Sequence, residues 1–152
     1  MIEWLHLVHV LSAMVWVGGG LTLMLIAIRA RSSSDPGAIS ELARTLPYVG
    51  LRILMPAVVL VLASGVWMVF ASAAWKFSQF WVLLGLGLFA VAFLIGAVYM
   101  SRVGIQLERT ARAESAGGAE APSLVSRWLL GYGVVLAVLL VAVWDMVFKP
   151  GS

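Results

Sequence analysis

His6 and His9 are the only histidines in a chain of 152 residues, and they lie three positions apart. On a helix that spacing puts both rings on one face, about one turn apart. Neutral imidazole is a good ligand for transition metals and haem iron, and a poor group to leave against lipid. Two chemistries fit the pair. One metal ion can sit between both rings with help from another helix. Alternatively, one histidine takes haem iron axially and the other serves a propionate or the second axial place. A third assignment needs no ligand: both rings are interfacial and hydrogen-bond to neighbouring helices or to lipid headgroups. Ala13, Trp16 and Gly20 continue the same face.

Other residues extend this constellation. Trp16 is followed by Gly18, Gly19 and Gly20. Glycine inside a helix costs about 1 kcal/mol relative to alanine in water. In a membrane it lets a backbone or a flat cofactor approach closely, so Trp16 and Gly19 join the candidate cofactor residues. Asp145 can orient an imidazole through its second nitrogen or ligate a metal itself. It can also pair with Lys149 one turn later, an order that is favourable on a helix. Met68 and Met146 carry thioethers that suit Cu(I) or haem iron, and they also serve as gap fillers. Glu3 is a weaker carboxylate candidate of the same kind. Arg52 and Arg102 lie at span ends, where topology explains them. No nucleophile–base pair, phosphate loop or dinucleotide fingerprint is present, so no catalytic residue is assigned.

The frame around these residues is a membrane protein. The chain is 62% hydrophobic and only 11% charged, with a mean hydropathy of +1.04. A soluble domain is nearer half apolar and a quarter charged. There is no cysteine, which removes disulfides and thiolate metal sites. The net charge of +3 does not point to nucleic acid. Its basic residues flank the apolar runs, as topology signals do. The first run carries Glu3 and no early Lys or Arg, and it is longer than a signal-peptide core, so it reads as a retained span.

Hydropathy predicts an all-α, four-helix membrane bundle in one domain covering 1–152, with spans at about 2–28, 52–71, 80–100 and 127–148. Between spans one and two, Asp35 and Pro36 can cap and start a short helix. Ala38 to Leu46 suits a helix lying on the membrane surface, ended by Pro47. Pro56 either starts span two or kinks it. Glu108 to Ser123 is the most polar stretch, its start able to extend the third helix and Gly118 to Pro122 expected to be mobile. Arg29, Arg31, Arg44, Arg52, Arg102, Arg109, Arg112 and Arg127 border the first and third loops, against Lys76 and Lys149 on the other side. The positive-inside rule therefore places both termini outside. Trp4, Trp67, Trp75, Trp81 and Trp144 fall at that outer interface as an aromatic belt, with both histidines in the outer part of span one.

The run His9…Trp16-Val17-Gly18-Gly19 resembles the opening span of the CopD-like superfamily, which includes copper-resistance D membrane domains and HemJ-type protoporphyrinogen oxidases. The closing Asp145-Met146-Val147-Phe148-Lys149-Pro150 and the loop pattern look most like its short four-span members of unassigned function. The resemblance implies a multi-pass protein of a bacterial inner (cytoplasmic) membrane with metal or haem chemistry near its outer side. His9 matches the first-span histidine linked to haem b in HemJ-type proteins. No later span supplies a histidine, a departure from those enzymes. In copper-resistance D proteins the implied cargo is copper, which the two outer histidines with methionines nearby would suit.

The expectation is a haem b- or copper-binding protein acting in cofactor handling or electron transfer. The site would involve His9, His6, Trp16 and Gly19 for a cofactor, or His6, His9, Asp145 and Met146 for a metal. Its partners are the lipid bilayer and a homo-oligomer or membrane partner protein. A cofactor-free accessory subunit is the competing class, and a small proton-coupled transporter using His6, His9 and Asp145 is a third. Because the chain lacks cysteine, topology is directly testable. A single cysteine at Ser115 should resist impermeant reagents added from outside and react after permeabilisation; labelling from outside would reverse the orientation.

Overall fold

A backbone in hydrocarbon has to satisfy its N–H and C=O groups internally, and a helix does so within one segment. The computed structural model describes residues 2–33, 35, 37–113 and 120–151, and these are helical apart from the connections. Four long apolar helices are able to cross a membrane: α1 (Ile2–Ser32), α2 (Gly37–Ala71), α3 (Phe80–Ala111, its helical turns running on to Ala113) and α4 (Ala121–Phe148). They are 28 to 35 residues long, or about 40–50 Å at 1.5 Å per residue. All four exceed the roughly 30 Å hydrocarbon thickness.

The excess length lies at one end. Gly37–Val49 does not lie apart as a surface helix, and Pro47 does not end it; it runs directly into the second span. Its amphipathic stripe buries Leu42, Ala43 and Leu46. They belong to one core with Ala27 and Ala30 of α1 and Val103 and Leu107 of α3. That tertiary burial holds the segment in line with the span. Proline is absorbed by a widened turn. Gly50–Leu54 is π-helical, and the Met55 N–H reaches back to the Gly50 carbonyl just before Pro56. Pro56 has no N–H to give, and a π-turn is a known accommodation for such a gap. A second π segment, Ile95–Met100, interrupts α3.

Both polar connections are shorter than expected. The Gly37 N–H donates to Asp35 Oδ1 at 2.8 Å, as a capping carboxylate would accept it. Pro36 lies outside the described residues, as do Gly118, Ser115 and the rest of 114–119. Pro122, expected in a mobile stretch, stands in the first turn of α4. It fits there because a first-turn N–H has no partner inside the helix.

The packing is two pairs: α1 runs along α2, and α3 along α4. The pairs join where α1 meets α4. The absent Gly20 side chain leaves room for the Tyr132 ring, and the Tyr132 hydroxyl donates to the Trp16 carbonyl at 3.4 Å. Beyond that junction, toward the arginine-rich end, the helices close on a continuous core that includes Leu23, Leu107, Val125 and Trp128. Arg31 there donates to Ser126 at 2.8 Å. Toward the opposite, histidine-bearing end, a smaller cluster of Val69, Trp81 and Val82, flanked by Trp75 and Phe77, ties α2 to α3.

A Cβ on Gly20 would overlap the Tyr132 ring. Gly20→Ala should therefore destabilise the bundle by about 1–3 kcal/mol, the usual cost of overpacking. Gly87→Ala meets nothing within 4 Å and should be neutral or slightly stabilising. Thermal unfolding in mild detergent reads both.

Candidate cofactor site at the histidine end

His9 sits on the face of α1 that packs against α2, and its ring is held from there. Nδ1 lies 2.9 Å from the Val61 carbonyl and 3.2 Å from Ser64 Oγ. A carbonyl only accepts, so Nδ1 carries the proton and donates. The Ser64 hydroxyl is itself committed to the Leu60 carbonyl, which leaves its oxygen to accept from the ring. A neutral imidazole with its proton on Nδ1 keeps its lone pair on Nε2. Metal-binding histidines are oriented in just this manner, one ring N–H on a backbone carbonyl and the other nitrogen free to ligate. Gly65 makes the arrangement possible: a Cβ there would stand 3.1 Å from His9 Cε1.

The ring borders a cavity of about 700 Å³. One wall is α1 and α2, carrying His9, Val61 and Met68; the other is α3 and α4, carrying Trp81, Gly85, Phe89 and Met146. Trp16 is buried at its inner end, edge-to-face with Phe89 at 5.7 Å between centroids. Trp16 also borders a second, smaller space of about 350 Å³ on the arginine side. Trp75 and Phe77, from the connection between α2 and α3, cover the α2–α3 side. The exposed lining residues fall mainly on α1 (Val10, Met14) and α4 (Leu140, Val143, Val147), so the cavity opens sideways between those helices. An apolar space of this size with a few fixed polar groups is the usual form of a small-molecule site.

The remaining candidates divide. His6 is exposed and packs edge-on against Trp75 at 5.9 Å, at the cavity mouth. Gly19 faces Leu54 of α2, 2.9 Å from its would-be Cβ, and lies outside the cavity lining; Gly18 borders the cavity in its place. Met146 lies on the wall with its methyl 2.6 Å from the Cβ position of Gly85. Asp145 reaches neither histidine. His9 is oriented by Val61 and Ser64, and the Asp145 carboxylate is fully buried with both oxygens unpartnered. Nor does it pair with Lys149. That residue ends α4 in a left-handed conformation (φ 45°), its N–H on the Asp145 carbonyl. Its ammonium turns onto the Trp75 and Trp81 rings, 4.7 and 5.5 Å from their centroids. Trp81 Nε1 is likewise buried without a partner. Each such group costs about 1–3 kcal/mol if nothing meets it. Among the described residues, no three His, Asp or Glu side chains converge as a metal cage.

In sequence, Ser64 and Gly65 are simply small residues of the kind that permit close helix approach. The partner of His9 is a backbone carbonyl, for which no sequence signal exists. Trp81 was read as part of the interfacial belt; its burial comes from the cluster with Val69 and Val82 and from Trp75, edge-on at 5.6 Å.

Four apolar helices of spanning length enclosing a side-opening apolar cavity define an integral membrane protein. Residues 3–150 match the family described as "Predicted integral membrane protein (DUF2269)", and the chain belongs to that family. No curated protein and no solved structure matches it.

The hold on His9 is testable. In Gly65→Ala the new methyl would press on Cε1 and Nδ1, at 3.1 and 3.4 Å. The ring must shift and the bond to Val61 lengthen. In ¹⁵N-labelled protein the His9 Nδ1–H should exchange faster than in wild type. Ser64→Ala, which leaves the Val61 bond in place, should change this much less.

Proposed function

We propose that this protein binds haem b in the histidine-end cavity, where His9 would hold the iron, near the outer face of a bacterial inner membrane. The observation that carries the reading is the His9 ring itself. Its proton is committed to the Val61 carbonyl at 2.9 Å, so its lone pair is left for a ligand beside an apolar space of about 700 Å³. A space that large and that apolar suits a porphyrin better than a bare ion. The likeness of His9…Trp16-Val17-Gly18-Gly19 to CopD-like first spans points the same way. The outer placement rests on the arginines, which gather at the opposite end of the bundle.

The residues present fit the group. His9 would hold the iron, and its neutral tautomer is the ligating one. Trp16 and Phe89 would bound the ring's inner edge, while Met68 and Met146 add soft, polarisable walls. His6 and Lys149 stand at the mouth, where acidic groups of a ligand would meet water. When bound, haem supplies one-electron redox chemistry. The protein's part is to orient one imidazole, exclude water from the cavity and leave a lateral opening to the lipid. Such a site serves cofactor handling or electron transfer.

Copper is the second reading, favoured by two thioethers that flank the cavity from opposite walls, Met68 on α2 and Met146 on α4. Protein purified in mild detergent from a haem- and copper-replete host decides between them. The expected result is a Soret band that is lost in His9→Ala and retained in His6→Ala. Copper retained by wild type and lost in the His6→Ala/His9→Ala double variant would replace haem by copper. Colourless, metal-free protein would overturn both and favour an accessory subunit.

A further inference from the structure

Lys149 brings a positive charge to the border of the large cavity, and among the described residues no Asp, Glu or Arg lines it. The ammonium is held in place. Its Nζ lies 4.7 and 5.5 Å from the ring centroids of Trp75 and Trp81, whose planes stand at 85° to each other. An ammonium has three donors and no acceptor. The ring faces attract the charge from one side only. The Asp145 oxygens do not meet it. The charge is therefore positioned without being neutralised.

The backbone is strained to put it there. Lys149 has φ 45°, and among the described residues it is the one non-glycine in the left-handed region. Its N–H closes α4 on the Asp145 carbonyl at 2.8 Å. Glycine is the usual residue at such a cap, because a Cβ is crowded in that conformation. Pro150 follows, and a proline favours extended backbone before it. Glycine would make the same turn more easily. What glycine would lack is the cation, and strain kept at one position points to use of its side chain.

An apolar cavity with one such cation at its mouth selects an apolar body with one negative charge. A plain hydrocarbon would leave the ammonium unmatched. A phospholipid would bring phosphate and ester oxygens that outnumber the donors in the lining. A single-chain carboxylic acid brings one charge and one tail. The access fits it as well. Val10 and Met14 on α1 and Leu140 and Val143 on α4 are exposed at the sideways opening, a route from lipid. From His6 at the mouth to Trp16 at the inner end, α1 rises about 15 Å, room for an extended acyl tail. A lipid acid would lie there as it lies in a leaflet, head at the helix ends and tail toward the middle.

We infer that Lys149 anchors the carboxylate of a long-chain fatty acid whose tail fills the histidine-end cavity. This anchor does not rest on haem binding, since Lys149 stands at the mouth and needs no iron at His9.

The test uses the full chain in lipid nanodiscs, without added haem, at mildly alkaline pH where fatty acids are ionised. The probes are stearate carrying a nitroxide near its carboxylate, and the methyl ester of the same compound. The nitroxide quenches indole fluorescence when the head reaches Trp75 and Trp81, and affinity is taken per probe partitioned into the nanodisc. Wild type should bind the acid about tenfold tighter than the ester, the worth of one charge-assisted hydrogen bond. Lys149→Gly, which keeps the left-handed cap, should bring the acid down to the ester's affinity and leave the ester unchanged. Lys149→Arg should keep the preference. His9→Ala should keep it too, so a missing Soret band and a missing acid preference are separate failures. Equal binding of acid and ester by wild type would overturn the anchor, as would a preference that survives in Lys149→Gly. Loss of affinity for both probes in Lys149→Gly would give Lys149 a role in the cavity's shape and overturn recognition. A preference for haemin over its dimethyl ester, with none between the stearate probes, would assign the ammonium to a porphyrin propionate and overturn the lipid acid.

Discussion

The close approach of α1 and α4 at Gly20 and Tyr132 is the constraint on which the rest of the bundle depends. In lipid, helices gain little from hiding apolar surface, since the tails are equally apolar, and association relies on close packing and hydrogen bonds. At Gly20 a tyrosine ring takes the space of a missing side chain, and its hydroxyl is spent on the Trp16 carbonyl. The α1–α2 and α3–α4 pairs are joined there. On the arginine side they remain in contact through the larger core, which borders the smaller space. On the histidine side the Val69–Trp81–Val82 cluster ties α2 to α3, and the larger cavity lies beside it between the two pairs.

The cavity between the two pairs frames the polar groups of this end. Each helix pair presents its own chemistry to the space. The α1–α2 wall carries an imidazole held from behind by Val61 and Ser64. The α3–α4 wall carries the Trp81 indole, and the Asp145 carboxylate is buried behind that wall, outside the cavity lining. A buried polar group without a partner is destabilising, and satisfied networks are the rule in folded proteins. The first wall is satisfied internally except for one lone pair, and the second is satisfied by nothing in the protein. Gly65 and Gly85 act alike in one respect: a methyl at either would crowd a polar side chain, His9 or Asp145.

Much of the frame was legible in the residues. The four apolar runs, the arginine-bearing loops and the pairing of His6 and His9 on one face all follow from period and hydropathy. The helix ends were less legible. Pro47 reads as a terminator because the ring removes a hydrogen bond, yet burial of Leu42, Ala43 and Leu46 outweighs that loss and a π-turn absorbs the distortion before Pro56. The divergent fates of His6 and His9 were not legible either. The two rings share a face, but one faces a neighbouring helix and the other a loop tryptophan. Likewise Gly18 and Gly19 look equivalent in sequence, and only the direction of α2 decides which of them borders the cavity.

By itself the sequence determined what local physics controls: that the chain is helical, that it lives in a membrane, how many times it can cross, and which few side chains carry chemistry. Helix formation in hydrocarbon is forced by each segment's own backbone, so no other part of the chain is needed to infer it. The tertiary structure alone decided which nitrogen of His9 is free, that Asp145 turns away from both the histidines and Lys149, and that the space between the walls opens sideways. Those outcomes depend on the relative placement of two helix pairs. That placement is set by the fit of single rings against missing side chains, a contact between positions more than a hundred residues apart, and no local pattern encodes it.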